Sequence, residues 1–117
     1  QKSAVSRDKG QFFETLAGQY LQQQGLQLLA HNVSCRFGEL DLVMRQQDCL
    51  VFVEVKYRQS NAFGSAAAMV TTAKQQKLRA TAHWYLQQQQ WRGAARFDVL
   101  AIEGEAPYQF SWLKNAF

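Results

Sequence analysis

The stretch that most constrains the fold is residues 38–58, GELDLVMRQQDCLVFVEVKYR. It holds two strand-like runs, ELDLVMR and CLVFVEVKYR, separated only by Gln46, Gln47 and Asp48. Two strands joined this tightly pair as an antiparallel hairpin. In the first run, alternation places Leu40 and Leu42 on one side and Glu39, Asp41 and Val43 on the other. In the second, Val51, Val53, Val55 and Tyr57 share one face, the natural core side. Leu50, Phe52, Glu54, Lys56 and Arg58 share the opposite face, where polarity begins abruptly at Glu54. A carboxylate and an ammonium inside an apolar strand require an explanation beyond packing.

The flanking segments give the element order. Phe12, Phe13, Leu16, Ala17, Tyr20 and Leu21 repeat at helical spacing and predict a helix over 8–24, closed by Gly25. LQLLAHNV, residues 26–33, is a first strand. Residues 59–70 contain Gly64, Ser65 and several alanines and read as a loop bordering the hairpin's polar face. Thr71 or Thr72 caps a second helix that runs to about Gln90. Its apolar face is Leu78, Ala82, Tyr85 and Leu86, and Lys74, Lys77 and Arg79 lie on the other face. ARFDVLAI, residues 95–102, is a further strand, and YQFSWL forms a short edge strand after the EGEAP turn. The order is α-β-β-β-α-β with a last short strand, an α/β class. The 117 residues suit a single domain, 1–117, with flexible ends at 1–9 and 114–117.

Composition narrows the function classes. At 47% hydrophobic and 13% aromatic, the chain can bury a core. No apolar run approaches the roughly 18 residues of a membrane helix, so no membrane partner is expected. The first residues lack the apolar region of a secretory signal. Cys35 and Cys49 form no CxxC pair, and His31 and His83 match no metal-ligand spacing, so all four read as structural. A cytoplasmic, reducing location is expected. The formal charge of +4 is compatible with a phosphate-rich partner.

With the turn centred near residue 47 or 48, Asp41 falls opposite or diagonal to Glu54. Lys56 is about 7 Å further along the same face. Two adjacent carboxylates repel unless something positive lies between them. Lys56 supplies part of that charge, and Mg²⁺, with Mn²⁺ as a substitute, supplies it better. Such an ion stabilises charge on a phosphoryl group and activates water, and the lysine assists. The plain alternative is a cross-strand ion pair worth well under about 1 kcal/mol. Glu39 reads as a strand-start residue, with an outer partner of the metal as the alternative, and Arg58 extends the polar face to where a phosphate could meet it. Arg96 and Asp98 pair with each other, and Trp84, Trp91 and Trp112 read as core or partly buried, with stacking of one of them on an unpaired base as the alternative.

GELDLV, LVFVEVKYR, VTTAKQQKL and RFDVLAI together resemble the bacterial YraN-like family across residues 10–103. That family is associated with a restriction-endonuclease-like fold, shared with archaeal Holliday-junction resolvases. The resemblance implies a PD-(D/E)xK core, a central mixed sheet flanked by helices. In that core Asp41 and Glu54 would be the acids and Lys56 the lysine, with the Val55 carbonyl a further metal ligand. Glu14 matches an acidic position on the first helix of resolvase-like relatives, and a helix-surface glutamate is its alternative. Gln75 matches a helix position near such sites. Lys74, Lys77 and Arg79 would contact backbone phosphates, with a solvated helix face as the alternative. Leu40 stands where the Pro of the Pro-Asp pair would be, a position that is loose in such nucleases. The implied activity is a Mg²⁺-dependent endonuclease acting on DNA, branched DNA by analogy with the resolvases, as a homodimer. Two rivals stand beside it: a nucleic-acid-binding module that does not cut, and a protein-interaction subunit. If the Asp41 and Glu54 carboxylates were more than about 8 Å apart, one Mg²⁺ could not be held by both.

Overall fold

The computed structural model describes residues 4–59 and 67–117 of the chain. Residues 60–66 of the expected loop lie outside the described residues. Helix α1 spans Ala4–Gln23, and strands β1, β2 and β3 span Gln27–Cys35, Gly38–Gln46 and Cys49–Arg58. A 3-10 turn at Ala67–Met69 leads to helix α2, Thr72–Gln88. Strands β4, Ala94–Glu103, and β5, Gln109–Leu113, complete a five-stranded sheet in the order β1-β2-β3-β4-β5. The β1–β2, β2–β3 and β4–β5 pairs are antiparallel, and β3–β4 is parallel. The chain is thus a mixed α/β unit, its sheet flanked by two helices.

Local chemistry sets the boundaries. At the end of α1, Gly25 adopts φ 99°, and the Leu26 N–H reaches the Leu21 carbonyl at 3.0 Å. This closing turn needs a residue without a Cβ penalty and leads the chain into β1 with Leu21 and Leu26 both buried. Thr71 caps α2, its hydroxyl accepting from the Lys74 N–H at 3.2 Å. The β2–β3 turn is two residues long, and its first residue, Gln47, takes φ 55°.

Both faces of the sheet are core. Helix α1 brings Phe13, Ala17 and Leu21 onto Leu42, Met44, Val51, Val53, Leu100 and Ile102. Helix α2 brings Leu78, Ala82 and Tyr85 onto Leu40, Val43, Leu50, Phe52, Val99 and Ala101. This corrects the reading of the valine side of β3 as the core side. β3 lies in mid-sheet beside its parallel partner, and a crossover helix covers its second face, so Leu50 and Phe52 are as buried as Val51 and Val53.

A second correction concerns β2. Leu40 and Leu42 do not share a side: Leu40 packs under α2 and Leu42 under α1. The β1–β2 ladder pairs Val33 with Leu40 and His31 with Leu42 but skips Asn32 and Asp41 between them. Asn32 there has φ 51°. The pleat is broken at this point, and the period-two rule fails across it.

The β4 side of the sheet holds a buried carboxylate level with Val53. Asp98 is fully buried and accepts from the Arg96 Nε at 3.0 Å, the Trp112 Nε1 at 2.9 Å and the Asn115 N–H at 2.9 Å. Its pairing with Arg96 is the one the sequence suggests. The last residues are tied to the same region: the Ala116 N–H donates to the Phe97 carbonyl at 2.7 Å, and Phe117 stacks on Phe97 at 4.9 Å.

Candidate functional site

The break in β2 positions the site. Past the last β2–β3 pair, Leu42 with Val53, the Val55 N–H donates to Asp41 Oδ2 at 2.9 Å instead of to a strand carbonyl. Asp41 sits where both sheet faces are reachable. Glu14 reaches it from α1, and Glu54 from the face that α2 covers. Asp41 and Glu54 are close enough to share a hydrogen bond, well inside the separation one small cation can span. Ligand oxygens of Glu14, Glu39 and Asp41 also lie within 4.8 Å of one another. Glu39, which reads in the sequence as a strand-start residue, therefore belongs to the cluster's surroundings.

Two lysines face the acids. Lys56 Nζ is 3.9 Å and Lys74 Nζ 3.4 Å from Glu54 Oε2. Glu54 is only 4% exposed, whereas the Lys74 side chain is 45% exposed, so the lysine joins a buried carboxylate to solvent. An open groove of about 400 Å³ runs over this end of the sheet. Its lining includes Glu14, Asp41, Glu54, Val55, Lys56 and Lys74, and the α1 side adds Lys9 and Phe13.

Crowding shows in the proton affinities. Burial pushes the Glu54 carboxyl up to about 8, helped by its hydrogen bond to Asp41 and the Asp41 charge, while Lys74 and Lys56 pull the other way. Burial likewise raises Glu14 to about 7, followed by the charge and hydrogen bond of Asp41 and the charge of Glu39, while a hydrogen bond to Asn32 opposes the rise. Near neutral pH the site thus retains protons that a cation would displace.

The other residues singled out in the sequence fall elsewhere. Arg58 Nε pairs with Glu103 Oε2 at 2.8 Å, across the Arg58–Glu103 register of the parallel β3–β4 pair. Gln75 donates its amide to the Val70 carbonyl at 3.0 Å, tying the start of α2 to the preceding turn. Lys77 is exposed beside Gly38, where a Cβ would meet the Thr81 hydroxyl at 3.2 Å. The Arg79 guanidinium lies 5.5 Å from the rings of both Phe97 and Phe117. Sequence reasoning missed Lys9, Phe13 and Asn32 as parts of the site. The only signals for them were the helical i, i+4 spacing of Lys9 and Phe13, and an Asn in a strand, a residue that tolerates positive φ.

Fold and site define a mixed α/β domain with an acid-and-lysine groove at one end of its sheet. Residues 13–102 match the family described as "Uncharacterised protein family UPF0102". A UPF0102 protein of Nitrosomonas europaea is 47% identical over 110 residues, covering 94% of this chain and 93% of its own length. Another, of Aeromonas hydrophila, is 49% identical over 112 residues, covering 93% and 84%. A third, of Vibrio parahaemolyticus, is 49% identical over 112 residues, covering 94% and 92%. The chain belongs to the UPF0102 family, the YraN-like group its motifs resemble. Among the described residues, no helix is long and apolar enough to cross a membrane.

Proposed function

We propose that this protein is a Mg²⁺-dependent phosphodiesterase, with Mn²⁺ as a substitute, built on a restriction-endonuclease-like core and acting on DNA. The observation that carries the reading is Asp41 at the pleat break, met by Glu14 and Glu54 and faced by Lys56. The donor set suits a hard cation: it is all oxygen, it is crowded, and two of its acids hold protons that an ion would release. Asp41, Glu54 and Glu14 would hold the ion, with the Val55 carbonyl beside them. When bound, it would stabilise charge on the phosphoryl oxygens and lower the pKa of water.

The chain's own groups supply the rest. Glu54 keeps Lys56 at the groove, where its ammonium offsets charge building on the phosphate. Lys74 lies 3.4 Å from Glu54 and is exposed enough to meet a backbone phosphate. In the hydrolysis, a water oxygen bonds to phosphorus, one ester P–O bond breaks, and the departing oxygen takes up a proton. The lysines and the formal charge of +4 suit a polyanion.

The test is a cleavage panel of labelled single-strand, duplex, flap and four-way-junction DNA with Mg²⁺, Mn²⁺ or EDTA, using wild type beside Glu54→Ala. Cutting that requires the divalent ion and disappears in the variant is expected. Salt-sensitive binding without cutting, unchanged by EDTA or by Glu54→Ala, would instead make the protein a non-catalytic binding module.

A further inference from the structure

We propose that Phe12 is a stacking platform for an unpaired base of the nucleic acid whose phosphodiester enters the groove, an inference that rests on the reading above. Phe12 is 50% exposed although its neighbours Phe13 and Ala17 already bury the face that α1 turns to the sheet. It stands on a rigid base of rings. Phe13 stacks on Tyr57 at 4.0 Å and 12°, and Tyr108 meets Phe13 edge-on at 5.5 Å. The Tyr57 hydroxyl is fixed to the Gly104 carbonyl at 2.8 Å. Phe12 packs edge-on against Phe13 at 5.2 Å and Tyr108 at 6.3 Å.

The surroundings favour a nucleotide over another apolar partner. Lys9, one turn before Phe13, holds its ammonium 5.0 Å from the Tyr57 ring, and Lys9, Phe13 and Tyr57 all line the groove that contains Lys56 and the acids. An exposed ring packed on Phe13, itself part of a groove lined by Lys9, Lys56 and Lys74, fits the pattern that binds single strands, in which rings take bases and cations take phosphates. The tryptophans do not compete for this role. Arg45 lies over the Trp91 ring at 5.1 Å and Lys114 over the Trp112 ring at 4.4 Å, while Trp84 packs on the core. A base paired in a duplex cannot reach Phe12 with its face, so the platform would favour a phosphodiester next to an unpaired nucleotide.

The test measures binding in EDTA, where no cleavage occurs, using a short fluorescent single strand and its duplex. Phe12→Ala, at an exposed helical position that tolerates alanine, is expected to weaken single-strand binding about 10-fold and duplex binding less than about 2-fold. Phe12→Trp restores the affinity. A 2-aminopurine in the single strand is quenched by wild type and not by Phe12→Ala. Unchanged single-strand affinity in Phe12→Ala, while Lys56→Ala still weakens binding, would overturn the platform and leave the groove reading intact. A switch from dimer to monomer in Phe12→Ala at unchanged affinity would assign the ring to self-contact and likewise overturn it. Failure of wild type to bind either DNA would overturn both readings.

Discussion

Replacing Glu54 by glutamine tests whether its carboxyl is held as a neutral acid. In the folded chain Glu54 is 4% exposed and raised from 4.5 to about 8, burial acting first and Asp41 second. The sign follows from linkage. The folded state holds the Glu54 proton more tightly than the unfolded state does, so stability is fully present below about 4.5 and lost as pH rises through about 8. Each unit is worth about 1.4 kcal/mol, so by pH 9 the ionised carboxylate costs the fold on the order of 5 kcal/mol. Glutamine mimics the protonated acid and carries no such cost. Urea unfolding in EDTA should therefore give wild type and Glu54→Gln similar midpoints near pH 5. Near pH 9 the variant's midpoint should be higher by about 2.5 M, taking a urea slope of about 2 kcal/mol per molar. Because Glu14 titrates in both proteins, the difference isolates Glu54. A midpoint difference that does not change with pH would refute the reasoning. So would a variant less stable than wild type at pH 9, which would make Glu54 an ordinary ionised partner of Lys74.

Asp41→Asn removes the charge that, after burial, most raises Glu14, so the Glu14 carboxyl should titrate below about 7 by NMR; an unchanged midpoint would mean burial alone sets it. Lys74→Gln removes the first-named influence that lowers Glu54, so Glu54 should titrate still higher, and the salt dependence of DNA affinity should weaken by about one unit of slope. Asp98→Asn leaves the Arg96 guanidinium short of its buried partner and should cost about 3–5 kcal/mol in chemical denaturation, with a changed Trp112 emission; a cost under about 1 kcal/mol would contradict the burial.

Much of this architecture was written in local patterns. The helical spacing of Phe13, Ala17 and Leu21, the two-residue turn after Gln46 and the Thr71 cap need only neighbouring residues to be read. The edge strand after EGEAP is found as β5, hydrogen-bonded to β4. What escaped depends on partners distant in sequence. That Leu40 and Leu42 part company follows from a positive-φ Asn32 on a different strand. That Leu50 and Phe52 are core follows from the parallel pairing with β4, some forty residues later in the chain. Arg58 lies on the polar face, as alternation requires, yet the same parallel register hands it Glu103 as a partner. Asp41, Glu54 and Lys56 could be read together because one short hairpin carries all three. Lys74 reads as a helix-surface cation, and only the docking of the first turn of α2 over β3 gives it Glu54.

Asp41 explains why the acid-lysine segment begins where it does. β2 pairs with β3 only as far as Leu42 and Val53, whereas β4 follows β3 to Arg58. From Glu54 onward β3 therefore has a strand on one flank and an opening on the other, and the groove occupies that opening. The Val55 N–H would lack a partner there, and the Asp41 carboxylate supplies one at 2.9 Å. One side chain thus both ends the ladder and anchors the acid cluster. The two roles separate by substitution. Asp41→Asn keeps an oxygen for the Val55 N–H and removes only the charge. Asp41→Ala removes both and should cost a further ~1 kcal/mol, about the net worth of one hydrogen bond at a part-buried donor. Amide exchange at Val55 should accelerate in Asp41→Ala and remain slow in Asp41→Asn. Equal exchange in the two variants would show that strand contacts, and not this carboxylate, hold the edge where the groove begins.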